Sequence, residues 1–220
     1  LVEAERRYFA SPKRSTGALI LAASQGDQFA DLTDERPKVM LPVNGKPLLR
    51  RLVDRCKKQN IDKVIVVAGY RPDKIDVNGI ELVTNERYET TGELTSLACA
   101  KDRFSDDMVI MYGDLIFRSY VLRGLLESDR GLTVVVDSQY ESTETTKSPD
   151  FAYCSAPDDR SLWGQDVLLK QLRQSPSVDN VAANGRWIGM ARSNTDGRKW
   201  LTDGLQHLSK LENFDQLNMG

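Results

Sequence analysis

The sequence predicts an α/β fold: a mostly parallel, mixed central sheet with helices on both faces. Three observations carry that expectation. Apolar runs at Ala18–Ala23, Lys63–Tyr70 and Asp107–Tyr112 have the near-continuous, β-branched character of strands covered on both faces. Stretches with apolar residues at helical spacing follow them, and the two patterns alternate along the chain as βα units do.

Residues 1–16, LVEAERRYFASPKRST, read as a charged, helix-like stretch followed by a polar, Pro-containing tether, as at the exit from an upstream domain. The domain proper is expected over 17–220. Its first strand breaks into Ser24, Gln25 and Gly26, where a strand end can present free backbone N–H groups to phosphates. A long polar loop leads to Lys38, placed just after Pro37 and able to add a point charge there. A helix is expected over 46–59, with Pro47 in its first turn and Leu48, Leu49, Leu52, Val53 and Cys56 on one face. Strands follow at 63–70 and 80–85, then a helix from about Glu93 with Leu94, Leu97 and Ala98 inward. The strand at 107–114 ends in a carboxylate, and a helix at 119–128 and a strand at 132–138 complete the alternation. From Gln139 to Arg160 the composition turns to Ser, Thr, Asp, Glu and Pro, which suits a mobile lid or a solvated loop equally. Residues 161–174 read as helical and 186–192 as a strand. A last helix at 195–210 would turn Trp200, Leu201, Leu205 and Leu208 inward. The pattern as a whole is Rossmann-like.

Bulk properties exclude several classes. Thirty basic and 32 acidic residues are interspersed to a net charge of −2, leaving no basic stripe for a nucleic-acid backbone. No run of ~18 apolar residues exists and no secretory layout opens the chain, so a cytoplasmic protein is expected. Cys56, Cys99 and Cys154 are odd in number and lack metal-ligand spacing, which suits three buried thiols in a reducing compartment. A chain of 220 residues buries a core without metal or disulfide staples.

In open α/β sheets ligands bind beyond the carboxyl ends of the strands. That rule selects Ala23–Gly26, Gly69–Tyr70, Asn85–Gly92 and Gly113–Asp114. Taken singly, each has an ordinary alternative: a turn at 24–26 and at 113–114, a solvated charge at Lys38. Neither GxGxxG nor GxxxxGK[ST] is present, which removes two nucleotide-binding classes. Asp114 suits Mg²⁺, which is held by one or two carboxylates plus nucleotide phosphates. The single histidine, His207, has no nucleophile motif near it and reads as a surface or packing residue.

The segments LILAASQG, DERPKVMLPVNGKPLL, VIVVAGY, LVTNERYETTGELTSLACA and VIMYGDLIF, in that order through most of 17–138, resemble the nucleotidyltransferases that activate sugar phosphates, phosphocholine and phosphonates. The chain looks most like the cytidylyltransferase domains fused to phosphoenolpyruvate mutase, with the N-terminal tether as the domain junction. The resemblance implies that the backbone of Leu21, Ala22, Ala23, Ser24 and Gly26 holds the nucleotide and that Lys38 binds phosphate. It places Gly92, Thr95 and Ser96 beside the nucleotide, Asp114 on Mg²⁺, and Asn85, Trp187 and Gly189 on the acceptor side, where packing is the plainer role for Trp187. The implied reaction moves CMP from CTP to 2-hydroxyethylphosphonate or 2-aminoethylphosphonate, releasing pyrophosphate. Transfer to a sugar 1-phosphate or phosphocholine, and a non-catalytic nucleotide-binding or docking role, are the alternatives. Two departures stand out: Ser24 where sugar-phosphate enzymes usually carry a second Gly, and Gln28 where they carry an Arg. Such relatives also continue past a helix, here Leu211–Met219, into a strand with a second acidic Mg²⁺ ligand, which leaves that ligand unassigned.

Overall fold

The computed structural model describes residues 15–139, 150–160, 166–174, 177–178 and 181–219. Strand β1 (Thr16–Ala22) sits between β4 (Lys63–Ala68) and β6 (Asp107–Tyr112), and β5 (Glu81–Thr84) borders β4; all these pairs are parallel. Beyond β6 the direction reverses. Strand β12 (Gly185–Ser193) runs antiparallel to β6, β7 (Leu132–Asp137) and β8 (Phe151–Cys154), and β9 (Leu169–Arg173) closes an eight-stranded mixed sheet at its edge; β10 (Ser177–Val178) and β11 (Val181–Ala182) form a separate antiparallel pair.

Side-chain alternation sorts the parallel strands onto two cores. Ala18, Ile20, Val64, Val66, Val109 and Met111 face helix α1 (Leu48–Lys58) and helix α3 (Ser119–Glu127). Leu19, Leu21, Ile65, Val67, Met108 and Ile110 face helix α2 (Glu93–Cys99) and helix α4 (Thr195–Leu208). Helices therefore cover both faces, as the sequence predicts, and α4 is capped by Asn194, whose side chain accepts from the N–H groups of Asp196 and Gly197.

Several expectations are corrected. The helix expected over 46–59 starts at Leu48, because Lys46–Pro47 (β3) pairs with Pro42–Val43 (β2) in a hairpin. Its two-residue turn is Asn44-Gly45, both at positive φ, the sequence signature of a tight hairpin. Within 161–174, residues Leu169–Arg173 form a strand instead of a helix, since pairing with β8 overrides local spacing; 161–165 lie outside the described residues. The polar stretch 139–160 contains β8, whose Phe151, Ala152 and Tyr153 are buried, while 140–149 fall outside the described residues. Leu211–Met219 is not a helix but a turn, a single 3-10 turn at Phe214–Gln216 and an extended end. Trp200 is 60% exposed, lying against Gly131 instead of entering the core. Of the three thiols only Cys56 is buried, which pushes it up to about 12; Cys99 is exposed and Cys154 half-buried. The tether at 1–16 lies almost wholly outside the described residues. Among those residues, no helix is long and apolar enough to cross a membrane.

Candidate active site

Three groups of side chains gather beyond the carboxyl ends of the parallel strands. The first is built on β1 and β6. Leu21, Ala22 and Ala23 bury their side chains, and the Leu21 carbonyl accepts from Gly113 N–H at 2.8 Å while that of Ala23 accepts from Tyr70 N–H at 2.9 Å. The chain then leaves the sheet through exposed Ser24 into Gly26, whose φ of 91° is left-handed. A Cβ at Gly26 would lie 2.9 Å from the Lys38 side chain, so glycine lets that lysine pass. Lys38 Nζ reaches Asp114 Oδ2 at 2.8 Å, with Lys38 the more enclosed partner. A Cβ at Gly113 would lie 2.7 Å from Val39 and 3.0 Å from the Leu21 carbonyl, so this glycine brings the carboxylate's strand end close against β1. The fold thus assembles Leu21–Gly26, Lys38 and Asp114, residues far apart in sequence. The Gln28 side chain lies outside the described ones.

The second group organises the loop after β5. Buried Asn85 donates to Thr91 Oγ1 at 2.9 Å and Ser96 Oγ at 3.0 Å, and its Oδ1 accepts from Arg87 N–H at 3.0 Å. Its polar atoms hold the turn into α2. Thr95 and Ser96 are likewise buried; Thr95 donates to Asp215 at 3.2 Å, and Gly92 N–H donates to the Asp215 carbonyl at 2.6 Å.

The third group lies where β6 meets β12. Trp187 is buried, donates to the Met190 carbonyl at 3.0 Å and sets its ring 5.5 Å from that of Tyr112. Gly189 has a φ of 78°, and a Cβ there would fall 2.0 Å from the Tyr112 ring. Tyr112 donates its hydroxyl to Glu93. Burial, followed by the charge of Glu93, drives the Tyr112 phenol well above its ordinary range, so it stays a donor. Asp150 is raised in turn, first by burial and then by Glu93, with Arg186 opposing. Tyr112, Glu93 and Asp150 escaped the sequence reading. Tyr112 carries a usable signal, since it directly precedes Gly113–Asp114 at a strand end; Asp150 sits in a polar stretch and carries none.

Among the described residues no group of three or more His, Cys, Asp or Glu is placed to hold a metal ion. Asp114, 41% exposed on its side chain and opposite Lys38, suits Mg²⁺ in the way that relies on nucleotide phosphates for further ligands.

Known proteins share this architecture. The chain is 31% identical over 207 residues to the bifunctional protein GlmU of Methanocaldococcus jannaschii, covering 89% of this chain and 47% of that one, so it spans about half the length of that relative. It is 29% identical over 115 residues to the choline-phosphate cytidylyltransferase of Streptococcus pneumoniae, half of each chain. The solved inositol-1-phosphate CTP transferase of T. maritima superposes with a TM-score of 0.70 at 15% identity, over 94% of this chain and 79% of that one. The CTP:phosphocholine cytidylyltransferase of Streptococcus pneumoniae does so with 0.63 at 20% identity, over 92% and 81%. Likeness at such identities speaks to fold alone. The model of the MobA-like NTP transferase domain matches residues 18–181, from β1 through most of the antiparallel half, and the chain belongs to that family.

Proposed function

We propose that this protein transfers CMP from CTP to an alkylphosphonate and releases pyrophosphate. The observation that carries the reading is the Lys38–Asp114 pair, a cation and a metal-competent carboxylate held 2.8 Å apart beside the end of β1. Phosphates arriving at Lys38 compete for its ammonium and free Asp114 to face a cation. A phosphonate oxygen attacks the α-phosphorus in line, the bond from that phosphorus to the bridging oxygen breaks, and pyrophosphate departs with the electron pair. Lys38 offsets charge that grows on the phosphoryl oxygens. Mg²⁺, held by Asp114 and the phosphates, would supply further charge neutralisation. An acceptor with a second pKa of about 6 is already anionic near neutrality, so no general base is required. His207, exposed on α4, has no part in this.

The acceptor side favours an amine. Glu93 and Asp150 lie near Tyr112, which pairs with Trp187, and the Asp150 carboxyl is raised by burial first and by the charge of Glu93 second. An ammonium group offsets both carboxylates and sits well against aromatic faces, which favours 2-aminoethylphosphonate over its hydroxy analogue. Cytidylyltransferases among the relatives support the choice of CTP. In this reading the domain works beside a phosphoenolpyruvate mutase, with residues 1–16 as the junction between them.

A second reading, transfer to a sugar 1-phosphate, is favoured by a relative from Haloferax volcanii named as a UTP–glucose-1-phosphate uridylyltransferase. One assay separates them: pyrophosphate release with Mg²⁺, each NTP, and a panel of 2-aminoethylphosphonate, 2-hydroxyethylphosphonate, phosphocholine and glucose 1-phosphate. Fastest release with CTP and the aminophosphonate is expected. Preference for the sugar phosphate would replace this reading by the second. CTP binding without release from any acceptor would leave a non-catalytic nucleotide-binding domain.

A further inference from the structure

Residues Asn213–Met219 cross the start of α2 as a strap, held there by hydrogen bonds from Asp215, Gln216, Leu217 and Met219. Asp215 is its anchor. Its carboxylate takes both guanidinium nitrogens of Arg87, at 2.8 and 3.1 Å, and the Thr95 hydroxyl at 3.2 Å. Its carbonyl accepts from Gly92 N–H at 2.6 Å. The strap continues by accepting from Leu94 N–H at the Leu217 carbonyl, 3.3 Å, while Gln216 donates to the Thr90 carbonyl at 3.1 Å and Met219 N–H donates to Glu93 at 3.2 Å. Gly92 allows the approach, since a Cβ there would lie 2.3 Å from the Leu217 carbonyl.

Between strap and loop lies a cleft of about 460 Å³ lined by Glu89, Thr90, Thr91, Gly92, Gln216 and Asn218. Hydroxyls, amides and backbone dominate this lining and no cation is in it, so it suits the donor and acceptor edge of a heterocyclic base better than a phosphate. Glu93 connects it to the Lys38–Asp114 end of the sheet: it follows Gly92 and accepts from Tyr112, the residue before Gly113–Asp114.

We propose that Asp215 is a positioning residue of the nucleotide site: by clamping the strap to Arg87, Thr95 and Gly92 it fixes the wall against which the nucleotide's base rests. The inference builds on the nucleotidyl-transfer reading. Gly92 and Thr95 then serve the nucleotide through the strap, because their N–H and hydroxyl are spent on Asp215. The Arg87–Asp215 ion pair of the clamp is solvent-exposed, with side chains 63% and 41% accessible, so it contributes little to global stability and can act on geometry.

The test is Asp215→Ala and Asp215→Asn in the full chain, with CTP affinity by calorimetry and steady-state kinetics. Asp215→Ala is expected to raise both Kd and KM for CTP about tenfold, with kcat at saturating CTP and KM for the acceptor changed by less than about threefold. Asp215→Asn keeps an acceptor for Thr95 but loses the charge facing Arg87, and should recover part of the affinity. Thermal melts of both should match the parent. Unchanged CTP affinity in both variants, a loss confined to the acceptor, or tighter CTP binding, which would make the strap an obstruction, would each overturn the proposal. A parent protein that binds CTP but releases no pyrophosphate overturns the transfer reading alone, and the calorimetry still decides on Asp215.

Discussion

Strands β1 and β4 on one side of the sheet and β7 and β9 on the other carry apolar residues in different ways. β1 is buried at every position after Thr16 and β4 at every position after Lys63, whereas β7 has no fully buried residue and β9 is mostly exposed. The parallel half is sandwiched between helices and ends in the Lys38–Asp114 pair; the antiparallel half is covered less and ends in the aromatic and acidic group around Trp187. The more deeply buried half thus presents groups suited to phosphates, which every nucleotide shares. In the proposed reaction the antiparallel half would line the acceptor side, where substrates differ. Backbone buried on both faces holds a carboxylate and an ammonium at fixed separation, while thinner packing lets side chains vary without loss of the sheet.

The largest effect expected is on the parallel side. Lys38→Ala or Asp114→Ala should lower turnover by about a thousandfold or more, since each removes a preorganised charge from the reacting phosphates. Circular dichroism should be unchanged, because the pair lies at the surface of the strand ends. Turnover within about tenfold of the parent would show that the phosphate chemistry sits elsewhere.

The seam between the halves comes next. Arg192 of β12 donates to both carboxylate oxygens of Asp107 on β6, at 2.9 and 2.6 Å, and both side chains are more than nine-tenths buried. Removing the guanidinium strands a buried carboxylate, so Arg192→Ala should cost about 3–5 kcal/mol in denaturant unfolding. The double variant Arg192→Met with Asp107→Leu should recover most of that loss, because the desolvation of both charges disappears with them. A double variant as unstable as the single one would mean that the halves are joined by this ion pair and not by packing around it.

Within the antiparallel half, Gly189→Ala forces a left-handed φ on a residue with a Cβ and drives that Cβ into the Tyr112 ring. A loss of about 2–4 kcal/mol is expected. Displacement of Tyr112 should also weaken acceptor binding more than CTP binding. Equal losses for both substrates would erase the division of roles between the halves.

The same contrast explains what could be read from sequence. Strands buried on both faces announce themselves as apolar runs, so β1, β4 and β6, and with them Asp114 and the Leu21–Gly26 turn, were legible to within a residue or two. Leu169–Arg173 was not, because an edge strand with four exposed positions has no periodicity that a helix lacks. Phe151–Cys154 was hidden inside polar flanks. The hairpin signal Asn44-Gly45 competes in the sequence with Pro47, which equally suits a first helical turn. Trp200 fell on the apolar face by spacing, yet Gly131 offers it only a shallow seat at the surface. The partners of Asp215 are more than a hundred residues away along the chain, and no local pattern brings Arg87 and Thr95 to that carboxylate.

The smallest expected effect on the fold is also the sharpest test of the acceptor side. Asp150 is raised above the ordinary carboxylate range, by burial first and by Glu93 second, so folding disfavours its ionised form. The sign follows from proton linkage: the folded state holds the proton more tightly than the unfolded one, so this group's unfavourable contribution is absent below the unfolded-state pKa, grows as pH rises from there and is complete above the folded-state pKa. Asp150→Asn should therefore melt about 1–3 °C higher than the parent at pH 7, with the gain fading toward acid pH. The same substitution removes a carboxylate that would face an ammonium group, so KM for 2-aminoethylphosphonate should rise about tenfold while that for 2-hydroxyethylphosphonate stays near its parent value. Stability gained where amine affinity is lost would mark Asp150 as a charge kept for its substrate. An equal change for both acceptors would show that the group around Tyr112 and Trp187 shapes the pocket without reading charge.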